Sequence, residues 1–170
     1  MSRIKTLLAA LTLAGASLSA HADAVFRFTG NVDSGSRAGE ALAGEFALAD
    51  VAADFDGARE LLSFRLDAFG QTYTLADADA PALAWFAAGQ LLGIDFQDLD
   101  GADATLRPFV ALMAGFFDAS EALFAYDSTG GGTEGFAGLA FEPVQAVPEP
   151  GSAALLLAGL LATGALRRRR

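Results

Sequence analysis

Residues 24–32 read Ala24-Val25-Phe26-Arg27-Phe28-Thr29-Gly30-Asn31-Val32. On an extended chain Phe26, Phe28 and Val32 share one side, and Arg27, Thr29 and Asn31 share the other. Successive side chains of a strand point to opposite faces, so this alternation predicts a strand with one buried face. The same period returns in Leu62, Phe64 and Leu66 against Ser63, Arg65 and Asp67, and in Leu92, Ile94 and Phe96 against Gly93, Asp95 and Gln97. Residues 42–48, 71–76, 82–88, 105–113, 121–126 and 136–141 carry weaker versions of it. Between these runs lie Asp33-Ser34-Gly35-Ser36, Asp54-Phe55-Asp56-Gly57, Asp98-Leu99-Asp100-Gly101 and Ser128-Thr129-Gly130-Gly131-Gly132, which is turn chemistry. Nine or so short strands separated by such turns predict a mainly β chain, an antiparallel β-sandwich or jelly-roll-like domain. The alanine-rich stretches 48–53 and 76–84 suit short helices as an alternative.

Charge divides the 170 residues into three parts. All 21 acidic residues lie between Asp23 and Glu149, where the only bases are Arg27, Arg37, Arg59, Arg65 and Arg107, a balance of −16. So acidic a surface repels phosphate backbones, which disfavours nucleic-acid binding. There is no cysteine, so disulfides, thiol chemistry and zinc–thiolate sites are excluded and the domain relies on its core. The expected division is residues 1–22 as a signal peptide, 23–146 as an acidic β-rich exported domain, and 147–170 as a second, C-terminal signal.

The first part opens with Arg3 and Lys5, continues through an apolar run from Leu7 to Leu18, and ends Ala20-His21-Ala22. A positive start, an apolar centre and small residues at the −3 and −1 positions make a secretory signal helix, cut by signal peptidase after Ala22. That cut removes the only histidine, His21, and the only lysine, Lys5.

The last part runs Val147-Pro148-Glu149-Pro150-Gly151-Ser152, then an uncharged apolar stretch 153–166, then Arg167, Arg168, Arg169 and Arg170. Prolines two apart cannot sit inside a helix, so the start is a stiff spacer. The alanine- and leucine-rich stretch favours a helix, and the arginine cluster suits the cytoplasmic side of a membrane. Residues 153–166 are therefore expected to be a short transmembrane helix. It spans about 21 Å at the helical rise, and snorkelling arginines with local thinning close part of the gap to a full bilayer.

Pro148-Glu149-Pro150, the apolar helix and the basic end together resemble the PEP-CTERM sorting signal of Gram-negative bacteria, over residues 147–170. The resemblance implies an exported protein held briefly in the inner membrane and processed by an exosortase near Pro148-Glu149-Pro150. Its product is then destined for the cell surface or the extracellular space, in association with exopolysaccharide or biofilm. On that basis the chain is expected to be a non-enzymatic envelope or matrix protein with no cofactor, and extracellular polysaccharide is a candidate partner. The segment around residues 28–36 and that at 73–80 also resemble parts of other PEP-CTERM proteins, without implying an activity.

The residues between the two signals offer little catalytic chemistry. Ser34, Ser36, Ser63, Ser120 and Ser128 would lack any histidine, lysine or cysteine to activate them once the signal is cut away. Paired carboxylates suitable for a small hydrolase occur by chance in so acidic a chain. Asp95, Asp98, Asp100 and Asp103 around Gly101, and Asp50, Asp54 and Asp56 before Gly57, offer hard oxygen ligands for calcium. Neither has EF-hand spacing, and solvated acidic turns are the preferred reading. Trp85-Phe86, Phe116-Phe117 and Tyr126 are candidates for a sugar-stacking face, against the simpler expectation that most of the aromatics form the core. If Phe116 and Phe117 lie on a strand, they point to opposite faces.

Overall fold

The computed structural model describes residues 23–49, 51–99 and 103–144. Ten strands follow one another: β1 (Ala24–Val32), β2 (Ala41–Leu48), β3 (Gly57–Glu60), β4 (Ser63–Ala68), β5 (Gln71–Thr74), β6 (Leu83–Ala87), β7 (Gln90–Asp98), β8 (Phe109–Met113), β9 (Leu123–Asp127) and β10 (Gly135–Val144). All neighbours pair antiparallel, in the order β3-β6-β7-β8-β9-β10-β1-β2-β4-β5. The expectation of a mainly β, antiparallel chain holds, and the strands form one sheet. Two single 3-10 turns, Leu75–Asp77 and Ala119–Glu121, are the only helical elements among the described residues. The expected signal helix and C-terminal helix, with Ala20, Ala22, Pro148, Glu149, Pro150 and Arg167 to Arg170, lie outside those residues. Within them no helix is long and apolar enough to cross a membrane.

Alternation decides which face is buried. Phe28 and Val32 of β1, Phe46 and Leu48 of β2, Phe64 and Leu66 of β4, Ile94 and Phe96 of β7, Val110 and Leu112 of β8, and Phe124 and Tyr126 of β9 all enter one core. The sheet reaches that core by curling over itself. Phe64 stacks on Phe96 with ring centroids 4.3 Å apart, although β4 and β7 stand six places apart in the sheet. Across the same closure the Tyr73 hydroxyl donates to the Pro108 carbonyl at 2.7 Å, and the Asp79 amide to the Gln97 carbonyl at 2.9 Å. At Gly44 the strands need a missing side chain, because a methyl there would fall inside the Phe28 ring.

Four local expectations need correction. Leu62 does not share the buried side of Phe64 and Leu66; it is exposed, and Leu61 is buried instead. The reason is a break in the chain there: β3 leaves for the far edge beside β6, and β4 begins only at Ser63. β3 was not expected, since Gly57-Ala58-Arg59-Glu60 carries no alternation and forms an edge with half its residues exposed. The region 105–113 is extended only from Phe109, and residues 103–107 form a turn held by Asp103. Among the described residues of the alanine-rich stretches, only the turn Leu75–Asp77 is helical, capped by Thr74, whose hydroxyl accepts from the Ala76 amide.

The hairpins β4–β5 and β6–β7 turn on two residues each, Phe69-Gly70 and Ala88-Gly89, with positive φ at all four positions (57°, 74°, 49° and 74°). Positive φ at both residues matches the twist of a hairpin, but side-chain-bearing residues resist it. At Phe69 the ring compensates by packing on Tyr126 and Phe124, at 4.9 and 5.9 Å, beneath the Arg37 guanidinium.

Candidate functional site

The outward face of β8, β9 and β10 is the most distinctive surface. Register sets Met113 beside Leu123, Ala111 beside Ala125, and Ala125 beside Phe136. Large apolar side chains (Leu99, Phe109, Met113, Phe136) surround the small Ala111 and Ala125, leaving a groove of about 380 Å³. Leu99, Met113, Leu123 and Phe136 are all exposed.

A glycine-rich loop closes one end of the groove. Asp127, buried at the end of β9, accepts from the Thr129 amide (2.7 Å) and hydroxyl (2.8 Å), the Gly130 amide (3.0 Å) and the Gly132 amide (2.8 Å). The Thr129 amide leads the effects that hold its carboxyl below the usual range despite burial. Its charge is therefore directed into its own loop. Gly130 and Gly132 have φ of 72° and 121°, which other residues adopt only with strain. Next to it Glu134 accepts from the Ser128 hydroxyl and amide and from the Ser36 amide, and these bonds, the Ser128 hydroxyl foremost, pull its pKa down to about 2.

The opposite end leads to the β8–β9 connection, which carries Phe116 and Phe117. Their rings meet edge to face at 5.0 Å and are 82% and 77% exposed. The loop is held from below. Glu121 Oε2 accepts both of their amides, at 3.1 and 2.9 Å, and a side chain at Gly115 would collide with the Asp118 carbonyl. Asp95 fixes the loop's start: Oδ1 accepts the Ala114 amide at 3.0 Å, while Oδ2 accepts Trp85 Nε1 at 2.6 Å.

These positions revise the proposed aromatic face. Phe86 and Tyr126 are buried in the core, and Phe116 and Phe117 stand on a loop rather than on two faces of a sheet. Trp85 and the Phe116-Phe117 pair remain as exposed aromatics.

The acidic clusters are drawn into structural roles. Asp95 serves Trp85 and Ala114, Asp56 accepts the Ala88 amide, and Asp103 accepts from Thr105. Asp98 pairs with Arg107 at 3.0 Å, and Arg107 also pairs with Asp77 at 3.0 Å and lies 4.4 Å above the Tyr73 ring. This clasp spans the closure of the sheet, and sequence spacing gave no sign of it. Burial pushes Tyr73 up to about 12, with Arg107 opposing. At Asp77 burial is outweighed by bonds from Thr74 and Arg107, and its pKa is lowered. Asp50 and Asp100 lie outside the described residues, and among those described no group of three or more acids or histidines is placed to hold a metal.

The serines are likewise engaged in loops. Ser34 accepts from the Phe136 amide and the Tyr126 hydroxyl, Ser120 donates to Asp118, and Ser128 donates to Glu134. Ser63 lies exposed on β4.

Residues 146–170 match the PEP-CTERM protein-sorting motif, so the chain carries that motif, which implies an exported precursor held at a membrane and processed by an exosortase for the cell surface. No curated protein and no solved structure matches the chain.

Proposed function

We propose that the chain is a non-enzymatic structural protein of the envelope or extracellular matrix, associated with exopolysaccharide or biofilm. The observation that carries this reading is the sorting motif over residues 146–170, downstream of a domain in which many of the described carboxylates hold turns and loops. Its chemistry is done to it: signal peptidase cuts after Ala22, and an exosortase acts near Pro148-Glu149-Pro150. The arginines at 167–170 hold the tail at the inner face of the membrane until that second cut. Replacing Pro148, Glu149 and Pro150 together by alanine should leave an uncleaved, membrane-retained precursor. The intact mass of the secreted product reports both cuts and any added group. Equal mass and location for wild type and variant would refute the sorting reading.

A further inference from the structure

We propose that the exported domain pairs with a second copy of itself, the Phe116-Phe117 loop of each copy seating in the β8–β10 groove of the other. The two parts complement one another in one chain. The loop presents two aromatic rings with most of their surface in water. The groove presents Phe109, Met113 and Phe136 around a floor of Ala111 and Ala125. Large apolar surface left open in this way marks an interaction site. The knob is already ordered by Glu121 and Gly115, so seating it costs little further entropy.

Area argues for reciprocity. Buried aromatic side chains remove 150–250 Å² each, so two rings about four-fifths exposed supply roughly 300 Å², and the groove loses a similar area. A one-way contact would bury roughly 600 Å², well short of a stable interface, whereas a two-fold pair doubles this to about 1,200 Å², the lower bound of stable complexes. Phe116 follows Met113, which lines the groove, by three residues, so knob and groove adjoin, as a closed two-fold contact requires.

Charge argues against two other occupants. The domain's acidity repels an anionic bilayer. The groove has Asp127 turned into its own loop, so sugar hydroxyls would find few partners. Two acidic copies also repel each other, and the pairing should therefore strengthen with salt.

The chain contains no cysteine, so introduced ones report unambiguously. Two differently tagged full-length chains, one F117C and one F136C, are co-expressed with export to an oxidising compartment, and mixed disulfides are scored on non-reducing gels. The expected result is several-fold more mixed dimer than from F117C with L62C, whose position is exposed within the β3–β4 break and does not line the groove. A yield no higher than that control overturns the proposal. Sedimentation of the secreted wild-type product should show a dimer fraction that rises with salt and is lost in F116S/F117S at unchanged melting temperature. A wild type that stays monomeric at about 100 μM, or a variant that sediments like it, also overturns the proposal, as does a monomer whose polysaccharide binding is lost in F116S/F117S. The crosslink is scored in cut and uncut chains alike, so its outcome is independent of the sorting reading.

Discussion

Replacing Arg107 by alanine removes the clasp that joins the two ends of the curled sheet. The guanidinium lies 3.0 Å from a carboxylate oxygen of Asp98 and 3.0 Å from one of Asp77, and it covers Tyr73. Breaking a buried pair by removing one partner costs about 3–5 kcal/mol. Asp98 meets that condition, with only 8% of its side chain exposed, but Arg107 is 34% exposed and water can partly replace it. A discounted loss of about 2 kcal/mol follows, and the cation–π contact adds about 0.5–1 kcal/mol. The expected total is about 2.5–3 kcal/mol, a fall in melting temperature on the order of 10 °C for a domain of this size. Urea unfolding of the 23–146 domain, followed by the fluorescence of its only tryptophan, Trp85, should show a lower midpoint at unchanged slope. R65A, which breaks an exposed pair with Asp67, serves as the control and should change little. If R107A unfolds within about 0.3 kcal/mol of wild type, the clasp does not carry the closure.

Three further outcomes are expected. Glu134 is held at about 2 in the fold against an ordinary 4.5, so its stabilising effect is complete above 4.5 and fades as pH falls towards 2. The melting-temperature gap between wild type and E134Q should accordingly be widest near neutrality and close over that window, and a gap independent of pH would contradict this. A88N places a residue tolerant of left-handed backbone at φ 49° on an exposed turn, and should raise stability by about 0.5–1 kcal/mol in thermal melts. G44A forces a methyl into the Phe28 ring and should cost at least about 2 kcal/mol or prevent folding, visible as loss of near-ultraviolet dichroism.

The parts of the fold that were legible are those in which one residue suffices to decide its own environment. Phe26, Phe28 and Val32 alternate, and the strand they predict ends at Val32 as expected. The loop 127–132 was legible because Ser, Thr and Gly have few other uses in such density. β3 was not, because an edge strand with a half-exposed Gly-Ala-Arg-Glu stretch is specified by its partner β6 rather than by its own pattern. The turns at Phe69 and Ala88 were hidden for a related reason: neither residue favours positive φ, and the first is held there by rings from β9, far away in sequence.

The candidate surface was obscured by an ambiguity in the hydrophobic pattern itself. Phe116 and Phe117 look like core residues in a list of apolar side chains, and only the carboxylate of Glu121, five and four positions on, shows that the loop is built to display them. Asp95 and Asp98 illustrate the converse. They share an acidic stretch that suggests a cation site, yet one locks the Trp85 indole and the other meets Arg107. Their separation follows from β7 itself, where Asp95 and Asp98, three apart, point to opposite faces of the strand, so an odd spacing divides one acidic cluster between the outer surface and the core. Proximity in sequence thus counts for less in a β chain than parity along the strand. The same rule places Met113, Ala111 and Phe109 together on the groove while Val110 and Leu112 fill the interior.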